Sequence, residues 1–244
     1  MAAEEHDMRR AGPVPVGAKA GAAEAGVKPL AAEAIGSGLF VFAVVAAGIL
    51  AERFAIHNVG LALLATALAG AAAYAVLAFA LRPLNAALFN PALALAFALD
   101  GRLPLLTALT AAAAQIAAAF LGVMAAHLVT NTGLIQVASQ LQSGEGVWLG
   151  EFFATGIFVF AMLAIARPDA GLSPIVGGAC LLAIALATPS ISFANPALTL
   201  ARALTDSFTA IRLTDAAVIC GVQFLATLGA FGLRAWLFPR NEAE

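Results

Sequence analysis

Two amides at matching places are the residues best suited to chemistry in this chain. Asn90 opens the run Asn-Pro-Ala-Leu at 90–93, and Asn195 opens the same four residues at 195–198. Asn at a helix N-cap accepts from the free N–H groups of the first turn. Proline at the next position has no N–H to leave unpaired and a φ already suited to a helix. Asn90-Pro91-Ala92 and Asn195-Pro196-Ala197 therefore each predict the start of a helix. Two helix starts set in apolar sequence and aimed at one point put positive dipole ends there. That arrangement suits a pore or a transport site more than a reaction centre. The chain has no Gly-rich phosphate loop and no grouping of His, Cys or carboxylates for a metal or a nucleophile. Neither a cofactor nor a metal is expected, and the chain does not read as an enzyme. Cys180 and Cys220 lie in apolar runs, where small buried residues are the ordinary reading.

The elements that must position these amides are membrane spans. The 244 residues are 62% hydrophobic and 11% charged, with a mean hydropathy of +0.96. A soluble domain carries roughly 25% charged residues, so a polytopic membrane protein embedded in a lipid bilayer is expected. The net charge of -2 leaves no footprint for nucleic acid. Residues 1–29 are rich in Ala, Gly, Pro and mixed charge, a composition that predicts a disordered tail and no signal peptide. From Leu30 onward, six runs approach the ~20 residues that cross a bilayer core: 30–51, 60–81, 104–126, 147–166, 172–191 and 215–238. Two shorter helices fall between them, at 90–99 and 195–205. Ten helical residues reach about 15 Å, half the hydrocarbon thickness. Asp100-Gly101-Arg102-Leu103-Pro104 stops the first of them. Residues 239–244 form a short C-terminal tail.

The two halves repeat. Phe40-Val41-Phe42 follows Glu33 at the spacing with which Phe158-Val159-Phe160 follows Glu151. After each short helix comes a span with one Gln, Gln115 and then Gln223. Each half reads span, span, short helix, span, as repeat one at 30–126 and repeat two at 147–238. Three spans is an odd number, so the second copy enters from the opposite face, an inverted repeat with broken helices. Nine of the twelve Lys and Arg residues fall on the side of the N-terminus. The loop at 129–146 has none, which predicts both termini in the cytoplasm.

These marks together resemble the aquaporin, or major intrinsic protein, family over residues 30–238. The resemblance implies an all-α membrane protein: an aquaporin-like bundle of six transmembrane helices plus two re-entrant half-helices. It also implies a pore in each protomer, usually within a homotetramer, and water or small neutral solutes as what passes. Asn90 and Asn195 then donate to solute at the pore centre, and Glu33 and Glu151 support the re-entrant loops, since a buried carboxylate needs donors. The family's outer selectivity filter, carried over by spacing, falls on Gly70, Ala183, Ser192 and Leu198. The family's usual Arg directly after the second Asn-Pro-Ala is Leu198 here, and its usual His shortly before the first motif is Leu88. That set predicts a wider, less polar constriction without its fixed cation. Arg202, four residues after Leu198, reads either as a cation over the outer mouth or as an interfacial Arg paired with Asp206 or lipid headgroups. The stretch around Asn195 resembles a bacterial branch associated with arsenic-resistance genes, which points to glycerol-like solutes or uncharged metalloid acids such as arsenite and to the inner (plasma) membrane. Two other classes fit the spans: an ion-coupled secondary transporter with discontinuous helices, and a non-conducting structural member of the family.

Overall fold

The structure, a computed structural model, describes residues 26–84, 87–165 and 173–239. Among them it holds eight α-helices and no strand: α1 (Val27–Phe54), α2 (Val59–Leu81), α3 (Pro91–Leu99), α4 (Leu105–Val129), α5 (Glu145–Ile165), α6 (Ser173–Ala187), α7 (Pro196–Ala201) and α8 (Leu213–Leu237). A 3₁₀ turn, Arg202–Leu204, continues α7. Among the described residues, five helices, α1, α2, α4, α5 and α8, are long and apolar enough to cross a membrane.

The expected spans differ from the helices mainly at their ends. Helix α1 begins at Val27, three residues before the expected start, because Pro29 falls in a first turn whose N–H groups have no helical partner anyway. The expected disordered tail therefore loses its last three residues to α1, while residues 1–25 lie outside the described ones, as do 240–244 of the expected C-terminal tail. The fifth run, expected over 172–191, gives a described helix of 15 residues. It ends at Ala187 because Thr188 turns its hydroxyl back onto Ile184 O at 2.8 Å, Pro189 has no N–H to continue it, and Ile191 adopts a φ of 53°. The 15 described residues reach about 22 Å, and from Thr188 the chain runs on to Asn195 outside any helix.

Helix α1 packs on α4 and α2, and α5 packs on α8 and α6, with α2 against α6 joining the halves. The α1–α4 crossing brings backbone onto backbone. A Cβ on Gly122 would overlap the Gly38 carbonyl and fall 3.1 Å from Phe42 N. Such small-residue crossings let dispersion act over the full helix contact. The outside of the bundle exposes Ile35, Leu39, Leu64, Leu68, Leu109 and Leu121, apolar area far beyond what a water-facing surface tolerates.

The face at which α1 begins is closed by ions where the sequence alone predicts only a helix stop. Asp100, 2% exposed, pairs with Arg102 at 2.5 Å and with Arg234 at 3.2 Å. Gly101 at φ 66° turns the chain. At the opposite face, Glu52 at the end of α1 accepts from Phe208 N at 3.0 Å, and the segment after α4 lies along the 3₁₀ turn through Gln136 N to Leu204 O and Ala138 N to Ala203 O.

Candidate functional site: two crossed amides between re-entrant helices

Asn90 caps α3 and Asn195 caps α7 in extended backbone, each followed by Pro in the first turn. Asn90 Oδ1 accepts from Ala92 N at 2.9 Å, and Asn195 Oδ1 accepts from Ala197 N at 3.0 Å and Leu198 N at 3.3 Å. With the carbonyl end of each amide committed to its own helix, the NH2 end is turned across the bundle. Asn90 Nδ2 donates to Ala194 O at 2.7 Å, and Asn195 Nδ2 donates to Phe89 O at 2.8 Å. Each carbonyl acceptor precedes the opposite Asn. Phe89 and Ala194 hold those carbonyls in place with φ of 49° and 50°, left-handed conformations that cost of order 1–3 kcal/mol each outside glycine and persist where the surroundings over-determine them. An amide NH2 has two hydrogens. The crossing bond uses one of them on each Asn.

The buried carboxylates tie down the two approaches in different ways. Glu33 on α1 accepts from the backbone N–H of Leu88 at 2.9 Å and of Phe89 at 2.8 Å. Glu151 on α5 accepts from two hydroxyls, Ser190 Oγ at 2.5 Å and Ser192 Oγ at 2.7 Å. The repeated Gln residues complete both sets: Gln115 Nε2 donates to Glu33 at 2.7 Å and Gln223 Nε2 to Glu151 at 2.9 Å. The Gln repeat is visible in the sequence, but its task is not; the signal that points to it is a buried carboxylate's need for donors.

Three of the four filter positions carried over by spacing lie inside the bundle: Gly70 on α2, Ser192 in the approach to Asn195 and Leu198 on α7 are buried. The Ser192 hydroxyl is engaged with Glu151. Ala183 lies apart from them, on the exposed stripe of α6 with Ile175, Ala179 and Leu186. In the approach to Asn90, residues 85 and 86 lie outside the described residues.

Arg202 takes neither of its two expected places. It is 2% exposed, and its guanidinium turns inward to donate to Ser190 O at 2.8 Å, to Ile191 O at 3.2 Å and to Thr209 O. Asp206 pairs elsewhere, accepting from Ser139 N at 3.0 Å and Ser139 Oγ at 2.9 Å. Those two donors hold its carboxyl below the ordinary carboxylate range. The fork geometry of a guanidinium explains the choice: several donors can satisfy carbonyls that a bending chain would otherwise strand. His127 at the end of α4, which no sequence motif marks, is fully buried and bridges Leu134 O at 2.9 Å and Thr205 Oγ1 at 3.0 Å.

The arrangement is a polar seam inside an apolar bundle, with backbone carbonyls and two amides at its centre. Among the described residues no group of three His, Cys, Asp or Glu could hold a metal ion.

Comparison with known proteins agrees with this geometry. The model of the family described as Major intrinsic protein matches residues 22–206. The chain is 37% identical over 206 residues to a protein of Rhizobium meliloti (strain 1021) named Aquaglyceroporin AqpS, an alignment that covers 84% of this chain and 88% of that one.

Proposed function

The chain belongs to the major intrinsic protein family, and from that premise we propose that it is a passive transmembrane channel for water and small neutral solutes, with the pathway running past Asn90 and Asn195. The observation that carries the proposal is the crossed amide pair. Each Asn is held by its own helix and by the opposite loop, yet keeps one N–H for a solute. Two helix starts meeting at that point disfavour cations, so what passes is neutral. The relative's name makes a three-carbon polyol the first solute to test, and the uncharged set Gly70, Ser192 and Leu198 admits uncharged metalloid acids of similar size. Ala183 is the fourth member of this proposed filter and the one whose exposure argues least for it.

The Lys and Arg distribution favours both termini in the cytoplasm, in an inner (plasma) membrane. In a homotetramer part of the apolar outer face would pack on neighbouring copies and the rest would face lipid. An ion-coupled transporter would need a titratable group free to change partners at mid-depth. Glu33 and Glu151 each already accept from at least three donors, which supports the passive reading.

The test is reconstitution into liposomes carrying a pH dye, with shrinkage followed in sucrose, glycerol and arsenous acid. Rapid water efflux with glycerol or arsenous acid re-entry supports the proposal. Rates equal to those of empty liposomes would leave only the non-conducting reading.

A further inference from the structure

Phe193 stands two residues before Asn195, and nothing in the short filter set accounts for its ring. The ring is 3% exposed. It meets Phe40 of α1 edge-on, with centroids 5.8 Å apart and planes at 78°. It also lies on Gly70 of α2: a Cβ there would overlap the ring, falling 2.7 Å from Phe193 Cζ and 2.8 Å from Val44 Cγ2. The root of the ring belongs to the other wall. Ser192 N donates to Thr188 Oγ1 at 2.8 Å, Ala194 N donates to Ser192 Oγ at 3.1 Å, and Glu151 and Arg202 hold the same segment from α5 and from the 3₁₀ turn. Phe193 therefore reaches from the segment leading into Asn195 across to α1 and α2. Its place two residues before Asn195 sets the ring beside the amide pair, on the side from which the chain enters α7.

We propose that Phe193 sets the bore of the pathway, its ring occupying the space that Gly70 leaves without a side chain. The constriction is then narrow and aromatic, where the residues at the filter spacing alone predicted a wide one. Glycine at 70 is required by the ring, because even a methyl group at that position would displace it. The other half of the bundle is built differently. Leu88 stands two residues before Asn90, and the nearest ring, Phe89, seats instead against Gly36 of α1. Size selection is accordingly assigned to the α7 side of the amides. This inference rests on the channel reading above.

The experiment compares glycerol and water permeability in liposomes for wild type, Phe193→Ala, Phe193→Leu and the exchange Gly70→Phe/Phe193→Ala, each checked for a monodisperse peak and a cooperative melt in detergent. Phe193→Ala should raise the glycerol-to-water ratio about tenfold, the discrimination carried by a small steric contact in an apolar pocket. The exchange should return the ratio toward wild type, because the ring comes back from the opposite wall. Phe193→Leu keeps the core filled and should raise the ratio less; it serves in place of the alanine if that variant does not fold. A folded alanine or leucine variant with an unchanged ratio overturns the assignment of Phe193. An exchange variant that keeps the alanine ratio overturns the claim that the ring fills the Gly70 space. Wild-type protein that passes neither water nor glycerol overturns the channel reading instead.

Discussion

Glu151 and Arg202 hold Ser190 from two sides: the carboxylate accepts its hydroxyl at 2.5 Å, and the guanidinium donates to its carbonyl at 2.8 Å. The approach to Asn195 is thus clamped between an anion and a cation, whereas the approach to Asn90 hangs from Glu33 by backbone N–H groups. Replacing Arg202 by Met strips donors from three buried carbonyls. Each buried group left unsatisfied costs about 1–3 kcal/mol, so Arg202→Met should lower the melting temperature in detergent well below that of an exposed substitution such as Arg53→Met. Arg202→Lys keeps the charge but not the fork and should fall between them. A melt of Arg202→Met unchanged from wild type would count against the clamp.

The crossed amides make a charge test. In Asn90→Asp a carboxylate oxygen can still accept from Ala92 N, so the cap of α3 survives. The donor to Ala194 O is lost, and a negative charge enters the point where cations are disfavoured. The variant should leak protons or sodium that wild type excludes, read with the internal pH dye and a sodium dye. An equal leak in both proteins would contradict the role given to the amide pair.

Gln115 and Gln223 are expected to differ in weight. Hydrogen bonds to charged groups contribute about 1.5–3 kcal/mol each. Gln115→Leu loses one to Glu33, while Gln223→Leu loses one to Glu151 and a further bond to Thr199 Oγ1 at 3.0 Å. Both should destabilise the protein in detergent melts, Gln223→Leu more. The reverse order would mean that the two carboxylates are not supported as the geometry has them.

Acid should loosen the segment between α4 and α5 only at low pH. The backbone N–H and hydroxyl of Ser139 depress the Asp206 pKa in the folded protein. A depressed carboxylate contributes stability that is present above its unfolded value of about 3.9 and lost as pH falls through the folded value. Hydrogen exchange of Ser139 and its neighbours should therefore stay constant from neutral pH to about pH 4, after correction for the intrinsic rate, and rise below. Asp206→Ala should show the faster exchange at every pH.

Glycines that look alike in sequence separate in the structure. Gly122→Ala puts a methyl into the Gly38 backbone and should force α1 from α4. A methyl on Gly156 would meet nothing within 4 Å, so Gly156→Ala should be tolerated or slightly stabilising through helix propensity. Melts of the two variants check this directly.

The contrast shows what the sequence carried and what it did not. The helix starts at Asn90 and Asn195 were legible because capping and proline geometry are local. Glu33 with Gln115 and Glu151 with Gln223 recur in register in the sequence, and each pair is hydrogen-bonded in the structure. Contacts made by chance of approach were not legible. Arg202 reaches carbonyls of Ser190, Ile191 and Thr209 only because the chain doubles back on both sides of α7. Phe193 and Gly70 come from opposite halves, and each alone is unremarked: an aromatic in a loop and a glycine in a span. The end of the fifth run is misplaced by hydropathy, which continues through Ile191 although the hydrogen-bonded helix stops before Pro189.

The passive channel is tested most directly by the initial rate of glycerol entry into proteoliposomes as its concentration is raised, with and without proton and sodium gradients. A channel past the Asn90–Asn195 pair predicts a rate that stays linear in concentration, ignores both gradients and falls when either Asn is replaced. Saturation at low concentration together with a requirement for either gradient would contradict it.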